Sequence, residues 1–167
     1  MFGVSKPVVG MLHLLPLPGS ARSNDLDVVR QRLMSDAESL VDGGIDGLIL
    51  ENYGDAPYYP NRVPAHTIAA MTVLGAELVR NFDTPLGINV LRNDGLAAMA
   101  VAATIGAKFV RINMLMGVRA ATEGLLEGEA HLVLQYRRQL STDCLVFADV
   151  DVKHSSAIGC VSLAGQV

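Results

Sequence analysis

Four short apolar runs of this sequence end in a carboxylate or an amide. Gly47-Leu48-Ile49-Leu50 runs into Glu51-Asn52, Leu86-Gly87-Ile88 into Asn89, Phe109-Val110-Arg111-Ile112 into Asn113, and Leu145-Val146-Phe147-Ala148 into Asp149. Cations and further polar groups stand nearby: Arg111 inside the third of these tails, Arg92 and Asn93 after the second, and Lys153-His154 after the last. Carboxylates accept hydroxyl protons, amides both donate and accept, and Arg or Lys neutralises phosphate, so the set suits a polyhydroxylated or phosphorylated small molecule. Glu51 and Asp149 can divide acid and base duties if their surroundings pull their pKa values apart. Lys153 and His154 suit a phosphate-binding cation pair or an acid–base couple.

Each of these residues also has a plainer reading. Arg111 can fill the interior by pairing with Glu51 or Asp149. Asn89 and Asn113 can bond neighbouring backbone, and Asn52 with Asp55 can tie the proline-rich loop that follows. A metal site from Glu51, Asp149, Asp151 and His154 has no supporting His-Glu-x-x-His or paired-cysteine motif. His13 reads as a satisfied barrel-bottom or rim histidine rather than a catalyst, His66 as part of a helix start and His131 as a residue of the fourth helix that faces solvent or packs. Met71, Met99, Met114 and Met116 read as filler, and Tyr58-Tyr59 as a lid or a partner patch. No cofactor is specified by any motif.

The elements that must position these groups follow from periodicity. Pro7–Leu12 reads as a strand ending at His13, and Leu26–Asp42 as a helix capped by Asn24 or Asp25 and stopped by Gly43-Gly44. A second strand runs from Gly47 to Glu51; Gly54, Pro57, Pro60 and Pro64 then forbid a helix until Ala65–Asn81. Leu86–Val90 is a third strand, Leu96–Ile105 a helix capped by Asn93 or Asp94, and Phe109–Asn113 a fourth strand. Met114–Glu127 reads as a long loop, Gly128–Leu140 as a helix, Leu145–Val150 as a fifth strand, Asp151–Gly159 as a loop and Cys160–Val167 as the start of a helix.

Strands alternating with helices give parallel βα units, arranged either as an open doubly wound sheet or as a (β/α)₈ barrel. Parity favours the barrel. Ile49 and Glu51, Gly87 and Asn89, Arg111 and Asn113, and Phe147 and Asp149 share one face that turns polar toward the carboxyl ends. The opposite parity, Leu48, Leu50, Ile88, Val90, Val110, Ile112 and Val146, is apolar throughout and suited to receive helices. A doubly wound sheet would bury both parities and carry a glycine-rich phosphate loop after its first strand, which LHLLPLPGS lacks. A full barrel takes about 250 residues. The 167 residues here supply about five units, so the expected fold is a single α/β domain over residues 1–167, a partial TIM-like barrel that is truncated or completed by another chain.

Half of the residues are hydrophobic and the net charge is −4, enough apolar matter for a sizeable core. Lys and Arg are scattered rather than striped, which argues against nucleic acid as a partner. Cys144 and Cys160 form neither a metal motif nor a disulfide framework, which points to a reducing, cytoplasmic setting. Pro7, Pro16 and Pro18 break the apolar amino terminus, and no run reaches the roughly 20 apolar residues of a membrane span. Peripheral contact with a membrane and homo-oligomer formation are both compatible with such a composition.

Six stretches, in order along nearly the whole chain, carry a resemblance: KPVVGMLHLLPLPGSAR at 6–22, DGLILENYGDAPYYPNRVPAHTIAAM at 46–71, PLGINVLRND at 85–94, AKFVRINMLMG at 107–117, LLEGEAH at 125–131 and FADVDVKHS at 147–155. On these the sequence resembles the BtpA family of barrels, which includes the sugar-operon protein SgcQ and is related to ribulose-phosphate-binding barrels. The resemblance implies a complete barrel longer than this chain. It also implies one of two roles: photosystem I biogenesis, peripheral on thylakoid membranes in cyanobacteria, or metabolism of sugars or nucleotides in organisms without a photosystem. It supplies no catalytic residues.

Overall fold

The alternation that the sequence sets up is realised in a computed structural model that describes residues 1–159. The stretch Cys160–Val167, expected to begin a helix, lies outside the described residues. Five strands form one parallel sheet: β1 (Val9–His13), β2 (Gly47–Glu51), β3 (Leu86–Asn89), β4 (Phe109–Ile112) and β7 (Leu145–Ala148), in that spatial order. Helices α1 (Leu26–Asp42), α2 (Ala65–Asn81), α3 (Gly95–Ile105) and α4 (Ala130–Gln139) connect them. Sequential neighbours in space are what βαβ crossovers dictate, and the parallel pairing requires the helices between strands.

Parity decides which face receives the helices. Leu12, Leu48, Leu50, Ile88, Val90, Val110 and Ile112 are all buried in one cluster with Leu33, Met71, Leu74, Leu78, Met99 and Val101 of the helices. The other parity forms the inner face, and its lower part is filled by rings. Phe109 is fully buried, stacks on Phe147 with centroids 4.7 Å apart, and meets Phe2 edge-on at 5.8 Å. Gly87 makes room for it: a Cβ there would stand 2.2 Å from the Phe109 ring. The inner face above these rings is left to polar side chains.

Local signals explain the helix ends. Asp94 is the N-cap of α3 and accepts from Ala97 N–H, while Gly106 closes the helix at φ +77°, a left-handed conformation glycine adopts at no steric cost. Asn24, expected to share the capping of α1 with Asp25, instead donates to Pro16 O; Asp25 stands at the N-cap without a side-chain bond. Helix and strand ends otherwise fall within one or two residues of expectation.

One expectation is overturned. Met114–Glu127, read as a long loop, contains the strands β5 (Val118–Ala121) and β6 (Gly124–Glu127), a hairpin closed by Thr122-Glu123. Within the expected loop Asp151–Gly159, β8 (Ser155–Ala157) adds antiparallel to β5, giving a second sheet in the order β6-β5-β8. Strands of three or four residues carry too little periodicity to be told from a loop, and the β5–β8 pairing is non-local. Leu126, Met114 and Val152 form a small core of their own beneath this sheet. Among the described residues no helix is long and apolar enough to cross a membrane.

Candidate functional site

A cavity of about 610 Å³ opens above the carboxyl ends of the parallel strands, bounded by the small sheet. Parallel α/β folds place ligands there because strand ends and their loops converge at that face. Of the residues singled out from sequence, Glu51, Arg92, Arg111, Asn113, Asp149, Lys153 and His154 line it.

Asn52, Asn89 and Asn93 do not line it, because each spends its amide on the framework. Asn52 accepts from Leu91 N–H at 2.6 Å and donates to Leu91 O and Asp55; it borders a neighbouring, smaller cavity of about 350 Å³. Asn89 donates to Arg111 O at 2.8 Å, and its Oδ1 is buried without a partner. Asn93 donates to Glu127 O and accepts from Met114 N–H, tying the β3–α3 loop to the hairpin. Its φ of +75° is one that asparagine tolerates better than most residues.

The wall formed by β4 and β7 is an ion-pair network. Arg111 Nε and a terminal guanidinium nitrogen each donate to Asp149 at 2.8 Å, a bidentate fork, and Asn113 donates to the same carboxylate at 2.9 Å. The bond to Asp149 outweighs burial and holds the Arg111 guanidinium firmly charged. The opposite wall is formed by β1 and β2. There the Glu51 side chain is 7% exposed and faces His13, whose Nε2 lies 3.0 Å from Oε2. Burial pushes the Glu51 carboxyl up, against the lowering influence of His13 and Arg111. The His13 ring lies on Tyr53 with centroids 4.4 Å apart and planes 18° from parallel.

The roof is latched from two sides. Arg92 donates to Glu123 at 2.9 Å and to Lys153 O at 3.0 Å, so one guanidinium holds the hairpin tip and the β7–β8 segment over the strand ends. Burial raises the Glu123 carboxyl, but bonds from Arg92 and its own backbone outweigh it and hold the group below the usual range. Tyr58 donates to Tyr53 O at 2.7 Å; burial pushes its phenol up to about 12, so it stays a neutral donor.

Lys153 and His154 are exposed. Asp151, the fourth member of the sequence-derived metal set, is instead bonded to Arg119 at 2.8 Å in the small sheet. Among the described residues no three acidic, His or Cys side chains converge as a metal ion requires.

His13, Tyr53, Thr122 and Glu123 also line the cavity; of these the sequence singled out His13 alone, as a satisfied histidine rather than a catalyst. For His13 the signal was available in parity, since His13 and Glu51 are direct partners in the β1–β2 register. Thr122 and Glu123 sit in the hairpin turn that the sequence does not reveal.

Comparison with known proteins adds family and fold. The BtpA family model matches residues 4–167. The chain is 47% identical over 167 residues to the photosystem I biogenesis protein BtpA of Synechocystis, covering 99% of this chain and 58% of that protein. It is 46% identical to an uncharacterized protein of Archaeoglobus fulgidus (91% of this chain, 61% of the other) and 30% identical to an uncharacterized mitochondrial protein of Caenorhabditis elegans (91% and 58%). The chain thus spans about three-fifths of the length of these relatives. Among solved structures, 7,8-dihydropteroate synthase from Vibrio fischeri superposes with a TM-score of 0.60 at 14% identity, over 87% of this chain and 46% of that one. That likeness establishes a TIM-barrel-type fold and nothing about the reaction.

Proposed function

The chain belongs to the BtpA family, and on that premise we propose that it binds a small phosphorylated, polyhydroxylated ligand in the strand-top cavity and acts on it metabolically. The observation that carries this reading is the lining of that cavity. Lys153 and His154 make no ion pair among the described residues, whereas Arg92 and Arg111 are spent on carboxylates. A lysine and a histidine without protein counter-ions among the described residues, at the mouth of a cavity whose lining includes Glu51, Glu123, Asp149 and Asn113, suit a phosphate at one end and hydroxyls at the other. In this reading Lys153 and His154 hold the phosphate, Asp149 and Asn113 receive hydroxyls in a geometry fixed by Arg111, and Glu51 with His13 forms the opposite wall.

Calorimetric titration with ribose 5-phosphate and with ribose tests it. Ribose 5-phosphate should bind more tightly, and the Lys153→Ala/His154→Ala double variant should lose on the order of tenfold or more in affinity, the scale of one lost charge-assisted contact. Equal binding of the two sugars, or an unchanged double variant, contradicts the reading.

A second reading, assembly of photosystem I, is favoured by the 47% identity to the Synechocystis protein of that name. Expression of this chain in a Synechocystis strain lacking that protein would restore photosystem I if this chain carries the assembly role.

A further inference from the structure

The β1–β2 register makes His13 and Glu51 direct cross-strand partners on the inner face. Glu51 is the buried member, at 7% side-chain exposure against 46% for His13, and both line the cavity. Two contacts fix its orientation: the 3.0 Å approach of Nε2 to Glu51 and the Tyr53 ring against its face. When Nε2–H is donated to a carboxylate, the proton of the neutral ring is committed to that nitrogen and Nδ1 carries the lone pair. The Glu51 contact is at Nε2, which leaves Nδ1 as the ring's other nitrogen.

We propose that His13 is a ligand-contacting residue whose Nδ1 accepts a hydrogen bond, and then the proton, from a ligand hydroxyl, with Glu51 and Tyr53 as the residues that position the imidazole. The inference rests on the reading of the cavity as a ligand site. The step balances: the ligand O–H bond breaks, an N–H bond forms at Nδ1, and the oxygen keeps the electron pair. The resulting imidazolium faces the Glu51 carboxylate through Nε2–H. Asp149 on the far wall is occupied by Arg111 and Asn113. Tyr53 limits rotation of the ring, and restricted rotation is what a proton acceptor needs to meet its donor at hydrogen-bond distance.

His13→Gln separates this role from a merely structural one. The glutamine amide nitrogen can replace Nε2 as donor to Glu51 but leaves nothing at the place of Nδ1. The unliganded variant should melt at the wild-type temperature and bind ribose 5-phosphate on the order of tenfold more weakly, the cost of one hydrogen bond to the ligand. In nitrogen-15 spectra of labelled wild type, His13 should be the Nε2–H tautomer, and ribose 5-phosphate should shift its Nδ1 resonance. Wild-type affinity in His13→Gln, or an Nδ1–H tautomer in the wild type, overturns the inference and leaves the ligand site standing. Absence of binding to the wild type removes both.

Discussion

The two walls of the strand-top cavity hold their carboxylates in opposite ways. On the β4–β7 side Asp149 accepts three hydrogen bonds from Arg111 and Asn113, which hold both of its oxygens. On the β1–β2 side Glu51 is more deeply buried and has one ionisable partner in contact, an imidazole. Under the proposed function the difference gives the two carboxylates different work. A carboxylate saturated by a guanidinium is a fixed dipole, suited to orienting a ligand, while one shared with a histidine can follow a proton.

The largest effect should come from removing what supports the fixed wall. Phe109 fills the space beneath Arg111 and carries Phe147 on its face. Phe109→Ala should cost roughly 3–5 kcal/mol in urea denaturation, the usual loss for a buried ring. A loss near zero would mean that the β4–β7 wall does not stand on this ring.

A smaller effect should sharpen the contrast from the other wall. Because burial raises the Glu51 carboxyl, the folded chain keeps that proton to a higher pH than the unfolded chain does. Its contribution to stability is therefore full below the ordinary carboxylate range and is lost as pH rises through the raised value. The neutral Glu51→Gln variant lacks this loss. Its stability relative to wild type, followed by thermal melts from pH 4 to pH 7, should rise with pH; a fall would show that His13 and Arg111 outweigh burial.

The framework was legible because its strands are nearly continuous apolar runs bounded by Gly and Pro, and because Ile49/Glu51 and Leu48/Leu50 divide cleanly by parity. That parity also located Glu51, Arg111, Asn113 and Asp149 at one end of one face. What it could not show is how each amide is spent. Asn52, Asn89 and Asn93 have the same side-chain chemistry as Asn113, yet bond backbone groups that come from distant parts of the chain. The small sheet escaped for a related reason: β5 and β8 meet across more than thirty residues, and neither is long enough to announce itself. With it went Glu123 and the latch to Arg92. His13 was visible as a strand end but gains meaning only from the register that sets it opposite Glu51.

The central claim, that the strand-top cavity is a ligand site, is tested most directly by the melting temperature of the 167-residue chain with and without ribose 5-phosphate. A ligand that binds only the folded state at a hundred times its dissociation constant stabilises that state by about 2.7 kcal/mol. A concentration-dependent rise in the melting temperature, absent with ribose and diminished in Lys153→Ala/His154→Ala, is the predicted result. A melting temperature that ribose 5-phosphate leaves unmoved at millimolar concentration would contradict the account.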